Sequence, residues 1–293
     1  MIGGAFSLAT MGELCYALGS SCDWGIIALV RALLMLTTAV ILVKTSGASL
    51  VVWRPRTLWV RSLAGSFSLV CNFYALTRLP VADAVTLMNL QPLWIVVISA
   101  VLLRRPAGLE ILGVVCGLAG VVLIERPHIS GDGLAAIVAL VSSASSAVAM
   151  LGLHRLRQVD PRAVVAHFAG VATLVSATCL YFRWQDGSAL LFERSGMVVG
   201  ALLAVGVTGT LGQILLTKAY AAGAPAKVAT VGLTQVVFAM GFDVILWNRE
   251  LTPSTLIGFA LVLAPTTWLS IRSARAGTRK PKEAQVPEPT RQT

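Results

Sequence analysis

Gly65-Ser-Phe-Ser-Leu-Val-Cys-Asn-Phe-Tyr-Ala75 opens a segment, 65–106, that returns at 209–250, where Gly209-Thr-Leu-Gly-Gln-Ile-Leu-Leu-Thr-Lys-Ala219 holds the same place. The offset from Gly65 to Gly209 is 144 residues, and it also lays Ala82 on Ala226, Thr86 on Thr230, Gln91 on Gln235 and Arg105 on Arg249. Few residues are identical. What recurs is an apolar stretch, a short break with a small residue or proline, and a second apolar stretch. Two related apolar halves in one chain are the usual plan of a secondary transporter, with the solute path at their interface.

The surrounding composition fits that plan. Of the 293 residues, 56% are hydrophobic and 12% charged, whereas a soluble domain carries about a quarter charged residues. Segments 84–103, 133–153, 195–217 and 251–271 contain no Asp, Glu, Lys or Arg. Each has the roughly 20 residues a helix needs to cross a bilayer, and none has the polar stripe of a soluble surface helix. The chain therefore reads as an all-α integral membrane protein. Ten spans fit the pattern, near 3–20, 24–43, 58–77, 81–103, 107–124, 132–153, 162–182, 196–219, 226–247 and 252–271. Five spans per half is an odd number, so the two five-helix repeats, 1–124 and 132–272, run inverted across the membrane. The boundary Glu125-Arg-Pro-His-Ile-Ser-Gly-Asp132 carries helix-breaking Pro127 and Gly131. Residues 273–293 read as a disordered basic cytoplasmic tail.

The net charge of +10 does not indicate nucleic acid, because of where it sits. With the N-terminus inside, cytoplasmic segments hold Lys44, Arg54, Arg56, Arg61, Arg104, Arg105, Arg155, Arg157, Arg162, Lys227, Arg272 and the five basic residues of the tail. Outer segments hold Arg78, Arg126, Arg183, Arg194 and Arg249. That asymmetry, sixteen against five, places both termini in the cytoplasm of a cell (inner) membrane protein. The five cysteines show no metal-ligand spacing; Cys15 and Cys22 stand where they could meet at the outer end of span 1.

The stretch Arg61-Ser-Leu-Ala-Gly65, Phe73-Tyr-Ala-Leu76, Leu79-Pro80, Ala82-Asp-Ala84 and Gln91-Pro92-Leu93 resembles the EamA-type branch of the drug/metabolite transporter superfamily. Gly209-Thr-Leu-Gly-Gln213, Leu216-Thr-Lys-Ala-Tyr220 and the glycines of span 5 (Gly113, Gly117, Gly120) are similar to the same branch. Within it the pattern looks nearest to transporters of riboflavin and S-adenosylmethionine-like metabolites. The resemblance implies ten helices in two inverted repeats around a central cavity, with spans 5 and 10 peripheral. One departure stands out: the Gly-Glu pair usual after spans 4 and 9 is Arg104-Arg105-Pro106 in the first copy, and only Glu250 survives in the second.

Polar side chains in the spans are the candidate solute-binding residues, since a charge at mid-membrane costs about 2.5–3.5 kcal/mol on insertion scales and needs a reason. Glu13 in span 1 suits a proton site or a cationic-substrate contact, or equally a structural hydrogen bond. Arg31 in span 2 stays charged; it would pair with Glu13, or meet an anionic group of the substrate. His167, at the roughly equivalent place in span 7, reads as a packing residue. Asn89 and Gln91, two residues apart, face different sides of span 4. Pro92 frees a backbone carbonyl that must be met by protein or water. Gln91 and Gln235 are equivalent in the two copies, and helix-bridging amides, at roughly 1 kcal/mol each, are an equal reading of both. Gly206, Gly209 and Gly212 form a smooth packing strip on span 8, beside which Gln213 and Thr217 share a face. Lys218 snorkels to the interface. Asn72, Tyr74 and Trp94 suit a ring-shaped or amphipathic ligand.

The sequence carries no H-E-x-x-H, phosphate loop or G-x-S-x-G, so neither a cofactor, a resident metal nor an enzyme is expected. The expectation is a secondary transporter of a small polar metabolite (amino-acid, nucleoside or vitamin-like) by alternating access, its partners being the lipid bilayer, the solute and a possible coupling proton. Rival readings are a passive channel or facilitator and an intramembrane lipid-modifying enzyme, for which His128, His154 and His167 offer poor material.

Overall fold

The computed structural model describes residues 1–76, 78–79, 81–103, 108–125, 133–186, 191–248 and 250–277. Among them lie twelve helices: α1 Ile2–Leu18, α2 Trp24–Thr45, α3 Arg56–Leu76, α4 Val81–Met88, α5 Gln91–Leu103, α6 Gly108–Glu125, α7 Gly133–Arg155, α8 Pro161–Gln185, α9 Gly196–Ala222, α10 Pro225–Gly232, α11 Thr234–Trp247 and α12 Pro253–Gly277. Five segments are long and apolar enough to cross a membrane: Trp24–Thr45, Gly133–Arg155, Pro161–Gln185, Gly196–Ala222 and Pro225–Leu246. Large apolar side chains such as Leu203, Val207 and Leu211 of α9 are exposed on the outside of the bundle, as expected of a surface that faces lipid rather than water.

Helix starts are written in the sequence. Asp23 caps α2 by accepting from Gly25 N at 2.8 Å, and Asp160 caps α8 by accepting from Arg162 N at 2.7 Å, with Pro161 and Pro225 in the first turns of α8 and α10. A proline there loses no hydrogen bond, because the first N–H groups of a helix have no intrahelical partner. Asp23 also holds the Arg183 guanidinium at 3.0 Å, so one carboxylate ties the end of α8 to the beginning of α2.

Two expected spans are interrupted. The helix expected over 81–103 breaks between Met88 and Gln91, and that over 226–247 breaks at Leu233. Shifting α4 by 144 residues gives the bounds of α10, 225–232. Tight bonds recur too, one residue earlier in the second half: Leu90 N to Leu87 O at 3.2 Å and Leu93 N to Leu90 O at 2.9 Å in one half, Leu233 N to Thr230 O at 3.2 Å and Val236 N to Leu233 O at 3.1 Å in the other. Three-residue spacing tightens the backbone locally. Pro92 sits just after the first break, but Val236 stands in the second copy, so proline alone does not cause it.

The largest helix contacts cross between the halves: α3 on α7, α2 on α8, α1 on α9 and α6 on α12. If α4–α5 and α10–α11 each count as one element, exchanging the halves maps this set of pairings onto itself. Two expectations change. Arg61, counted with the cytoplasmic charges, is wholly buried on α3, because α7 and α8 close over it. Helix α12 runs through Gly277, so 273–277 extend the last helix rather than begin a tail. Cys15 and Cys22, which stand near one another in the chain, are both free thiols; Cys22 is buried with Leu18 and Ile27, and Cys15 packs against the same cluster. Burial, and secondarily the Asp23 carboxylate, push the Cys22 thiol above its ordinary value. The boundary at 126–132, Pro80, Arg104, Arg105, Pro106, Arg249 and the tail from 278 lie outside the described residues.

Candidate functional site

Helix α9 is the spine of the site because its glycines admit neighbours closely. A Cβ at Gly206 would collide with Leu34 of α2; at Gly209 it would stand 2.9 Å from Met11 Sδ and 3.2 Å from Arg31 Nε; at Gly212 it would stand 2.7 Å from Leu8 of α1. The strip thus seats α1 and α2 against α9, and the Ser7 hydroxyl donates to Thr208 O at 2.8 Å to fix the register of α1. Arg31 enters the bundle beside this strip. Its Nε is buried without a hydrogen-bond partner, while the residue as a whole is half-buried.

Gln213 follows Gly209 by one turn, on nearly the same face. It is 6% exposed, and its Nε2 also lacks a hydrogen-bond partner. Thr217 is buried next to it, and its hydroxyl donates to Gln213 O at 2.7 Å, so it serves its own helix. The expected pairing of Arg31 with Glu13 does not form: the salt bridge found among the described residues is Arg183–Asp23. Helical phase explains it. Arg31 lies by Met11 and Cys15, whereas Glu13 is seven residues from Phe6 and shares its face, which turns to Phe238 and Phe242 of α11 at 5.4 and 5.6 Å.

A second polar seam runs along α7. Ser142 Oγ lies 2.9 Å from Ser68 O and 3.0 Å from Ser68 Oγ, and it bonds Asn72 Oδ1. Trp94 Nε1 donates to Ser143 Oγ at 3.0 Å, Ser145 Oγ to Ala64 O at 3.0 Å, and Ser146 Oγ to Gln91 Oε1 at 2.9 Å. Four serines in five residues therefore join α7 to α3 and α5. In this arrangement Trp94 and Gln91 bridge helices, while Asn89, in the break, donates to Val85 O of α4 at 2.9 Å. Gln235 is half-buried at the start of α11, and the Tyr74 ring lies 5.3 Å from the Arg78 guanidinium. Lys218 is exposed near the end of α9.

The serine run Ser142-Ser-Ala-Ser-Ser146 within an uncharged span was the signal that sequence reasoning passed over. Arg61 was the other omission. It is 0% exposed, its three nitrogens have no hydrogen-bond partner, and its guanidinium lies 3.8 Å over the Phe168 ring. Beside it the Ser62 hydroxyl meets His167 Nδ1 at 2.8 Å, and Trp59 packs edge-on to His167 at 4.7 Å; His167 is held in packing, as its position suggested. A groove of about 360 Å³ between α6 and α12, lined by Leu112, Cys116, Leu261 and Trp268 among others, includes none of the candidate residues. No group of His, Cys, Asp and Glu among the described residues could hold a metal ion.

Interrupted helices at corresponding places in two halves recur in many transporter folds. The model of the EamA-like transporter family matches residues 1–126 and 130–271. The chain belongs to the EamA-like transporter family. It is 29% identical to the pseudopaline exporter CntI of Pseudomonas aeruginosa over 78% of this chain and 80% of that protein. An uncharacterized transporter of Helicobacter pylori is 28% identical over 69% of each chain, and mouse (Mus musculus) solute carrier family 35 member G1 is 23% identical over 76% of this chain and 63% of its own. A crystal structure of a protein 20% identical aligns at a TM-score of 0.78 over 94% of this chain and 97% of its own, a likeness of fold alone. This EamA-like chain is a multi-pass membrane transporter of a small molecule.

Proposed function

We propose that this EamA-like chain is a secondary transporter that moves a small polar metabolite, of amino-acid, nucleoside or vitamin-like kind, by alternating access between two inverted five-helix repeats, 1–124 and 132–272. The recurrence of the helix break at 88–91 and at 233 carries the reading. Interrupted helices at corresponding places in two halves are the usual seat of a solute, because their ends leave backbone groups to coordinate it. Arg31 and Gln213 line the polar path, with Tyr74, Asn89, Gln91, Trp94, Thr217 and Gln235 around it, and Glu13 is the acid available to a coupling proton.

Purified protein in liposomes loaded with a labelled metabolite mixture is expected to exchange at least one component with the same solute outside, and to concentrate it when a pH gradient is imposed. Counterflow separates a carrier from a passive facilitator. Equilibration without counterflow would give the facilitator, and no flux of any component would remove the transport mechanism. The asymmetry of the basic loops supports a cytoplasmic-membrane location with both termini inside. Without Arg61 that asymmetry is still fifteen against five. A phosphatase reporter fused after Thr293 is expected to be silent, and activity there would invert the topology.

A further inference from the structure

Among the described residues, the buried side-chain nitrogens without a hydrogen-bond partner are Arg31 Nε, Arg61 Nε, Nη1 and Nη2, Arg183 Nε and Gln213 Nε2. All are donors, and no buried carboxylate or amide oxygen among the described residues lacks a partner. Four buried hydroxyls, Ser66 Oγ, Thr86 Oγ1, Ser99 Oγ and Ser176 Oγ, also lack a partner, but a hydroxyl can donate or accept, whereas these nitrogens can be satisfied only by an acceptor. A buried donor left unmatched is costly, so such a group implies a partner that is present in some state of the molecule.

Three sites carry such nitrogens, and two are already closed. Arg183 holds Asp23 at 3.0 Å. Arg61 is 0% exposed and enclosed by Gly65, Gly152 and Phe168. Arg31 and Gln213 remain. They belong together, because Arg31 Nε stands 3.2 Å from the position of a Cβ on Gly209 and Gln213 is the next turn of the same face. Glycine at 209 leaves the room in which the guanidinium lies. Arg31 as a residue is half-buried, and Nε is the guanidinium nitrogen found buried without a partner.

We propose that Arg31 and Gln213 form the binding point for a carboxylate of the transported solute, the guanidinium supplying charge and the amide a second donor. The assignment rests on the transport reading for its occupant. A carboxylate fits both donors: its two oxygens accept together from a guanidinium and a neighbouring N–H, and Arg31 has no internal carboxylate to displace. An amine or ammonium solute would add a donor where donors are already in excess.

The test is equilibrium binding, read by tryptophan fluorescence of the detergent-purified full chain. Glutamate, citrate and N-acetylglutamate are the probes; glutaramide, agmatine and inorganic phosphate are the comparisons. At least one carboxylate probe is expected to bind at least tenfold more tightly than every comparison. Arg31→Gln should weaken that binding about 30-fold or more. Arg31→Lys should weaken it less, since charge is kept without the planar fork. Gln213→Leu should weaken it about three- to tenfold. Gln213→Glu should abolish it by giving Arg31 an internal partner. Melting of each variant without probe shows that it is folded, and the Arg31→Lys and Gln213→Glu results stand if Arg31→Gln fails to fold. Equal binding of carboxylates and amides, tighter binding of agmatine or phosphate, no binding of any probe, or an Arg31→Gln protein that binds as well as the parent would each overturn the assignment. Carboxylate binding without flux in liposomes would instead remove the transport mechanism and leave this site standing.

Discussion

Gly120→Val will separate α6 from α12 and lower the melting temperature of the detergent-purified protein by about 6–12 °C. The two helices meet backbone to backbone. A Cβ on Gly120 would stand 2.6 Å from Gly258 O and 2.8 Å from Val262, and a Cβ on Gly258 would stand 2.7 Å from Gly120 O and 2.7 Å from Ile124. No side chain can swing aside to relieve the first clash, because the obstacle is a carbonyl in a helix. Overpacking costs about 1–3 kcal/mol, and this site belongs at the upper end. At about 2–4 °C per kcal/mol for a chain of this order of size, the shift is easily measured. Gly120→Ala should lie between, whereas Gly241→Ala, where a Cβ meets nothing within 4 Å, should melt at or above the parent, since Ala favours a helix over Gly by about 1 kcal/mol. A Gly120→Val protein that melts like the parent would show that α6 and α12 do not meet as described.

The second large effect concerns Arg61 and Phe168. Burying an unpaired guanidinium is costly, and the ring 3.8 Å beneath it offsets part of the cost through its quadrupole, about 2 kcal/mol when desolvated. Phe168→Leu removes the ring and leaves a small void in a side chain that is 6% exposed. About 3 kcal/mol of destabilisation is expected, the sum of the lost ring contact and roughly 1 kcal/mol of packing. Arg61→Met should be neutral or stabilising, because replacing a buried charge with an apolar side chain of similar length removes its desolvation penalty. The decisive measurement is the double variant. With no charge left to compensate, Arg61→Met should recover most of what Phe168→Leu loses, a coupling of about 2 kcal/mol in a double-mutant cycle. Additive losses would show that the ring packs against Arg61 without stabilising its charge.

Much of the fold was legible because it depends on local composition. The apolar spans come from residues near one another in the chain. The glycine strip at Gly206, Gly209 and Gly212 was readable as a contact face, since small residues at helical spacing have little other use. What could not be read was pairing over distance. Arg61 resembles a loop cation at the edge of a span, and its burial depends on Gly152 and Phe168, some ninety and more residues away. Gln91 was equally a ligand group or a bridge until Ser146 stood opposite it. Glu13 and Arg31 look like natural partners on neighbouring helices, yet Glu13 is two residues from Cys15, a rotation of about 200° around α1. Charge alone does not say which way a side chain points.

Asp23 performs two duties with one carboxylate: Oδ1 accepts the Gly25 amide that starts α2, and Oδ2 accepts the guanidinium of Arg183 at the end of α8. The duties cannot be undone separately at no cost. Pulling Arg183 away leaves the carboxylate freer to rotate and releases the amide it was steering, so parting the tips of these two helices also loosens the first turn of one of them. Motion at that end of the molecule is thereby coupled to unwinding, and any neutralising change at residue 23 would release both constraints at once.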